Sequence, residues 1–422
     1  MLTAGTETPT VSATDVEAAA ARLGEVVAQS PLQHNDRLSS RFELDVWVKR
    51  EDLQPVRSYK LRGAFNLIAQ LSDEQRAAGV VCASAGNHAQ GVAFACARLG
   101  ISGSVYLPRT TPRQKRDRIA AIGGDRLEVT AVGDTYDEAS AAAQEHAERT
   151  GATPVPAFDD ARTVAGQGSV ALEIVNQLGR APDAIVMPIG GGGLIAGMGT
   201  WLHERHPEVK LIGVEPSGAA CMAAAFAAGR PVPLADVDGF VDGAAVRQAG
   251  TVTYPLVRAS GAQLLTVHEG QVCSEMLELY QADGIIAEPA GALASAALPL
   301  VHDLKHGATV VCVLSGGNND ISRYPEILER SLVHEGLRHY FLVDFPQEPG
   351  ALRRFLDEAL GPDDDIVLFE YVKKNNRETG PALVGLELAR REDLEPLLER
   401  LDALPAKVER LQPDQALFRF LV

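Results

Sequence analysis

Apolar and polar positions alternate along most of the chain in a repeating order. Thr14 to Ala28 has helical spacing, and Val46 to Lys49 reads as a short strand. From residue 60 the pattern predicts helix 60–70, strand 80–84, helix 88–99, strand 103–107, helix 112–122, strand 126–130 and helix 134–149. It resumes with helix 166–179, strand 184–189, helix 193–205, strands 211–215 and 263–267, helix 269–281, a helix from about 289 and strand 309–314. Short apolar strands alternating with three-turn helices predict parallel sheets covered by helices, hence an α/β fold. Residues 217–262, rich in Ala, Gly and Pro, do not allow their helices to be placed, and the polar first dozen residues are expected to fray.

After Tyr324 the pattern changes. Strand 339–345, a turn at Pro346 to Gly350, helix 350–360, strands 366–373 and 381–388, helix 391–403 and a final strand near 417–422 give a β-α-β-β-α-β order. That is a complete small α+β unit, so a domain boundary is expected near 330–336. Its small sheet and Pro-Gly turn suit pairing and ligand-gated regulation more than a second active site.

The composition narrows the class. A chain of 422 residues, 46% hydrophobic, is long enough for two or three folded domains. With 39 basic and 56 acidic residues its net charge is −17, so the average surface repels nucleic acid but still leaves room for a local pocket for a small anion. Cys82, Cys96, Cys221, Cys273 and Cys312 are widely spaced among mostly apolar neighbours. They read as buried thiols in a reducing compartment rather than a disulfide frame or metal cluster. The N-terminus has neither a basic start nor an apolar run, and no stretch approaches the roughly 18–20 apolar residues that span a bilayer, so a cytoplasmic protein without membrane partners is expected.

Four patches carry chemistry. Gly190, Gly191, Gly192 and Gly193 follow a strand and precede a helix beginning about Leu194. Successive N–H groups without side chains, together with a helix N-terminus, can hold a phosphate; without a ligand the same residues would be a tight turn. A Walker pattern and a spaced Gly-x-Gly-x-x-Gly are both missing, which argues against nucleoside triphosphates and weakens a dinucleotide reading. Lys60 lies between Tyr59 and Leu61 at the start of a helix poor in charge, where a lysine loses its proton more readily and can form a Schiff base; alone it would be an ordinary surface lysine. Ser84, Ala85, Gly86, Asn87 and His88 end one strand and open a helix, where hydroxyl, amide and N–H groups can hold an amino acid carboxylate; for His88 the alternative, a helix cap or a packed ring, weighs more. Ser315, again after a strand, can hydrogen-bond a pyridine nitrogen without protonating it; as an isolated Ser-Gly-Gly it would be a turn. Together these are the parts that an enzyme holding pyridoxal 5'-phosphate needs.

At these patches the chain resembles the fold type II pyridoxal phosphate enzymes, with a tryptophan synthase β-like fold, and among them the biosynthetic threonine dehydratases. Ser58-Tyr-Lys-Leu-Arg-Gly-Ala64, Ser84 to Gly91, Gly190 to Leu194 and Glu288-Pro-Ala-Gly-Ala292 carry the resemblance, which covers about residues 12–325. It implies that Lys60 binds the cofactor and removes the α-proton of L-threonine. It also implies that Tyr59 packs near the ring, Asn87 bonds the ring hydroxyl, Glu288 lies near the ring and Ser315 faces its nitrogen. Loss of the β-hydroxyl, helped by the cofactor phosphate, would yield 2-oxobutanoate and ammonia, the first step of isoleucine biosynthesis; serine would give pyruvate.

The resemblance further implies a small catalytic domain, 60–155, inserted into a large one, 1–59 and 156–330. Asp344 to Ala351 and Glu370 to Gly380 resemble an ACT-like regulatory domain, 336–422, implying inhibition by isoleucine and a homotetramer. Serine racemase-like relatives bind a divalent metal in a segment resembling Glu215 to Cys221, but here Cys221 stands where they carry aspartate. Neither that metal site nor efficient racemisation is therefore expected, though Ser84 occupies the position of the opposite-face base. The competing readings are a serine dehydratase, another β-elimination or replacement enzyme of the superfamily, and a noncatalytic amino acid sensor.

Overall fold

A computed structural model describes residues 11–373, 376–413 and 415–422. The first ten residues of the segment expected to fray therefore lie outside the described residues. Contacts divide the chain into two compact units that meet between Asp320 and Ile321. The expected boundary at 330–336 comes later because helix Tyr324–Glu335 belongs with the second unit, where Glu329 accepts from Tyr340 and pairs with Arg338.

The strands of the first unit are β1 (Leu32–His34), β2 (Asp45–Arg50), β3 (Val80–Ala83), β4 (Gly103–Leu107), β5 (Leu127–Ala131), β6 (Thr153–Pro154), β7 (Ala184–Pro188), β8 (Lys210–Pro216), β9 (Gln263–Val267) and β10 (Thr309–Leu314). Six form a sheet in the order β1-β2-β10-β7-β8-β9, parallel except for β1. Four form a second, all-parallel sheet, β5-β4-β3-β6. Every residue of the central strands β7 and β10 is buried, as continuous apolar runs between two helical layers require. In the second sheet β4 instead alternates buried and half-buried positions.

Three helices bring the two sheets together. Lys60–Ile68, Ala161–Leu178 and Gly193–Arg205 cross where side chains are smallest: a Cβ on Gly166 would meet Arg62 O, and one on Gly168 would meet Gly197 O. The helices that the sequence does not place within 217–262 are Cys221–Ala228 and Thr253–Ala259, the first a uniformly apolar segment that gives no helical stripe to read.

The second unit carries β11 (Arg338–Pro346), β12 (Asp365–Tyr371), β13 (Thr379–Glu387) and β14 (Lys407–Arg410) in an antiparallel sheet, β12-β13-β11-β14. Its core includes Phe341, Phe345, Phe355, Val384, Leu397 and Leu401. The expected final strand at 417–422 is wrong. Lys407–Arg410 takes the sheet edge, and Ala416–Leu421 is a helix whose Phe418 packs edge-on against Tyr340 at 6.1 Å. A short, nearly continuous apolar run fits either structure, and tertiary packing decides it.

A buried ion cluster anchors the helix that begins at Lys60. Arg62, fully buried, reaches Glu51 at 2.7 and 2.8 Å and Glu173 at 2.6 and 2.9 Å. Lys49, also fully buried, meets Glu173 at 2.7 Å, Ser30 O at 2.8 Å and Gln177 at 2.9 Å. The four charges cancel, and burial, which opposes charge, is offset by paired hydrogen bonds. Arg62→Ala would leave two carboxylates underpaired inside the protein and is expected to destabilise the first unit by about 3–5 kcal/mol, read as a fall in its urea midpoint. An unchanged midpoint would show that the cluster does not anchor the helix.

Candidate active site

The ends of β3, β7 and β10 present the three loops singled out in the sequence, as the open parallel sheet rule leads one to expect. The chain before Lys60 is stitched to the end of β10. Ser58 bridges to Gly316, Tyr59 N donates to Ser315 O at 3.1 Å, and Gly317 N donates to Arg57 O at 2.9 Å. Arg57 occupies the left-handed region, φ +56°, a conformation costly for arginine that this stitching enforces.

Lys60 is partly buried at the first position of its helix. Its Nζ donates to Ala157 O at 3.3 Å and lies 5.3 Å from the centre of the Tyr59 ring. Burial lowers its pKa to about 8, against the opposing attraction of Glu288. A measurable fraction is then a free amine at neutral pH.

Asn87 and Glu288 are joined directly. Asn87 Nδ2 donates to Glu288 Oε1 at 2.6 Å, while Asn318 Nδ2 donates to Asn87 Oδ1 at 2.6 Å and Asn318 N to Glu288 Oε2 at 3.2 Å. Burial, then the nearby Asp242, push the Glu288 carboxyl up to about 7 despite these donors. Ser84 Oγ accepts from Gly86 N at 3.2 Å, shaping the turn of Ser84, Ala85 and Gly86. His88 departs from the group: its ring is buried and turned to Val155 O, 2.7 Å from Nε2. Ser315 Oγ, buried, donates to Ala290 O at 3.2 Å.

The glycine turn is fixed through its carbonyls. Cys221 Sγ donates to Gly190 O at 3.4 Å, and Gly191 O accepts from Thr253 Oγ1 at 2.5 Å and from Gly250 N at 3.3 Å. Because a trans peptide points N–H opposite to C=O, the amides of Gly191 and Gly192 face away from those partners. Gly192 needs its φ of +94°, and a Cβ on Gly191 would strike the ring of Phe158. Leu194, the next residue of the following helix, is buried in the large hydrophobic core and contributes by packing.

Cys221 thus supports the turn, and Glu215 beside it accepts from Met222 N at 2.7 Å and Ala223 N at 2.8 Å. Sequence reasoning missed Asn318, Ala157, Phe158 and Thr253. Asn318 was visible at the end of Ser-Gly-Gly-Asn, whereas the others lie in segments with no motif. The site offers a partly buried amine, a turn whose amides face away from its carbonyl partners and, in Ser58 Oγ, a fully buried hydroxyl with no partner. An aldehyde-bearing phosphate ester fits that set.

Comparison with known proteins agrees. The sequence pattern of the family described as "Pyridoxal-phosphate dependent enzyme" matches residues 24–316, and that of the "C-terminal regulatory domain of Threonine dehydratase" matches 329–421. The chain is 61% identical over 414 residues to the biosynthetic L-threonine dehydratase IlvA of Mycobacterium tuberculosis, covering 98% of this chain and 96% of that one. It is 52% identical over 416 residues to the protein of the same name from Corynebacterium glutamicum, covering 97% and 95%. Among solved structures, threonine deaminase isoform 2 of Solanum lycopersicum superposes with a TM-score of 0.70 at 38% identity, over 75% of this chain and 86% of that one. By its catalytic region, its C-terminal unit and its full-length relatives, the chain belongs to the pyridoxal phosphate-dependent biosynthetic L-threonine dehydratases.

Proposed function

We propose that Lys60, within the site built by Asn87, Gly190–Gly193, Glu288 and Ser315, carries the deamination of L-threonine to 2-oxobutanoate and ammonia. The observation that supports it most is a partly buried lysine of lowered pKa tied to Ala157 O, the residue next to the phenyl ring beneath the glycine turn. When bound, pyridoxal phosphate supplies an aldehyde that condenses with the substrate amine and a ring that takes up the electron pair of the broken α C–H bond.

The chain's own residues do the rest. The amides of Gly191 and Gly192, with the N-terminus of helix Gly193–Arg205, hold the phosphate. The turn from Ser84 to Asn87 receives the substrate carboxylate, and Asn87, braced by Glu288 and Asn318, orients toward the ring hydroxyl. Lys60 as free amine accepts the α-proton. The β-hydroxyl leaves as water, and the released enamine hydrolyses to the oxo acid and ammonia. Ser315 provides a neutral hydroxyl at the ring nitrogen, where a carboxylate would fix a proton.

In this reading residues 60–155 form a small lobe inserted in a larger one, and the C-terminal unit regulates, with isoleucine as its effector. Homotetramer assembly belongs to the same reading, and Leu352 and Leu356, exposed one helical turn apart, offer apolar surface for it. Five free, buried cysteines support a reducing, cytoplasmic setting. No helix among the described residues is long and apolar enough to cross a membrane.

Lys60→Ala is expected to lower 2-oxobutanoate release from L-threonine by a factor of about 10³ or more, with the fold retained by circular dichroism; turnover near the parent's would remove Lys60 from its role. Across an isoleucine titration the parent's turnover should fall, whereas indifference would leave the C-terminal unit with assembly or another effector.

Glu288 gives a pH signature. Its folded pKa, about 7, lies above the ordinary carboxyl value of 4.5, so the folded state binds more protons between those values. Stability is therefore lost as pH rises from about 4.5 to 7. Glu288→Gln should remove that loss, so that from pH 5 to pH 8 the cofactor-free parent loses on the order of 2–3 kcal/mol more than the variant. Equal losses in calorimetry would contradict the buried carboxyl.

A further inference from the structure

His88 is the loop residue whose side chain the reaction leaves unused. It lies in the first turn of helix Asn87–Leu99, 4% exposed, with Nε2 2.7 Å from Val155 O. A carbonyl only accepts, so Nε2 carries the proton and Nδ1 is a bare acceptor, buried with no partner. Such an orphan carries a cost that leucine or phenylalanine would avoid, so space-filling does not account for histidine here. Protonating Nδ1 would not relieve it near neutral pH, since burial and the adjacent Lys60 hold the His88 pKa down to about 4.

The carbonyl that His88 holds opens the segment Val155-Pro-Ala-Phe158. At one end Val155 N donates to Val81 O at 2.9 Å, securing the segment to the small sheet. Two residues on, Ala157 O accepts from Lys60 Nζ at 3.3 Å and from Gln167 Nε2 at 3.3 Å. The next residue, Phe158, places its ring where any side chain on Gly191 would collide with it. A single segment therefore touches the lysine and the phosphate turn, and His88 ties that segment to the helix of the substrate loop.

We propose that His88 is a positioning residue. Through Val155 O it fixes the segment 155–158 so that Ala157 O meets Lys60 and Phe158 supports the glycine turn. The proposal rests on Lys60 and Gly190–Gly193 as the cofactor site, and it assigns His88 no contact with the reacting atoms.

Three variants test it on the full-length holoenzyme. His88→Gln puts an amide nitrogen near the place of Nε2, His88→Asn has one too short to reach Val155 O, and His88→Leu keeps the bulk alone. The readouts are the rate of pyridoxal phosphate loss on dilution, followed by its visible absorbance, and kcat and KM for L-threonine. His88→Asn and His88→Leu should release cofactor about tenfold faster, with a similar fall in kcat and KM within about twofold. His88→Gln should stay within about threefold of the parent in both.

Parent-like release and kcat in His88→Asn would overturn the proposal, even with a lowered melting temperature, because a packing role alone predicts that result. So would a His88→Gln as impaired as His88→Asn. Should His88→Leu not fold, the Gln and Asn pair decides alone. Lys60→Ala made in parallel separates the two readings. Retained turnover there removes Lys60's role and the proposal with it, while loss there beside an unaffected His88→Asn removes the proposal alone.

Discussion

Arg62 lies out of solvent between Glu51 and Glu173, and where it lies determines where Lys60 stands. Only Leu61 separates them on one helix, Lys60 at its first position and Arg62 in its first turn. The guanidinium makes five hydrogen bonds, two to Glu51, two to Glu173 and one to Ser169. Those partners come from the residues just after β2 and from helix Ala161–Leu178, both outside the small sheet. A fork of fixed geometry suits this task as a flexible ammonium would not. Helix Lys60–Ile68 is thus locked at its N-terminus, where Lys60 stands, to the residues after β2 and to helix Ala161–Leu178.

From that anchor the site builds outward by backbone contacts. Ser58, Tyr59 and Arg57 pair with residues 315–317, so the lysine and the serine at the end of β10 share one local frame. Glu288, Asn318 and Asn87 then connect β10's loop to the substrate loop. Burial lowers the Lys60 pKa to about 8 and raises that of Glu288 to about 7, so each is partly neutral near neutral pH. Without that burial both groups would be charged at neutral pH, and the lysine would be a poor base.

Much of the catalytic fold was legible because strands such as 103–107 and 309–314, and helices such as 193–205 and 269–281, are bounded by glycines, caps or abrupt changes of periodicity. Failures occurred where local pattern does not decide. The three-residue β1 is too short to register, Cys221–Ala228 has no amphipathic stripe, and the nearly continuous apolar run Leu417–Val422 has no period to separate strand from the helix it forms. In the site, motifs revealed the residues near the chemistry and hid those that hold them. Arg62 stood in the quoted Lys60 segment without suggesting a buried anchor, because its partners are 11 and 111 residues away. Ala157 and Phe158 carry no chemical signature, and only the fold places them between the lysine and the phosphate turn.

The central claim is that the cofactor is bonded to Lys60 and to no other lysine. Borohydride reduction of the holoenzyme, followed by proteolysis and mass spectrometry, tests it without relying on turnover. The account predicts a pyridoxyl mass increment on the peptide containing Lys60. An increment on a peptide lacking Lys60, or on none, would contradict it.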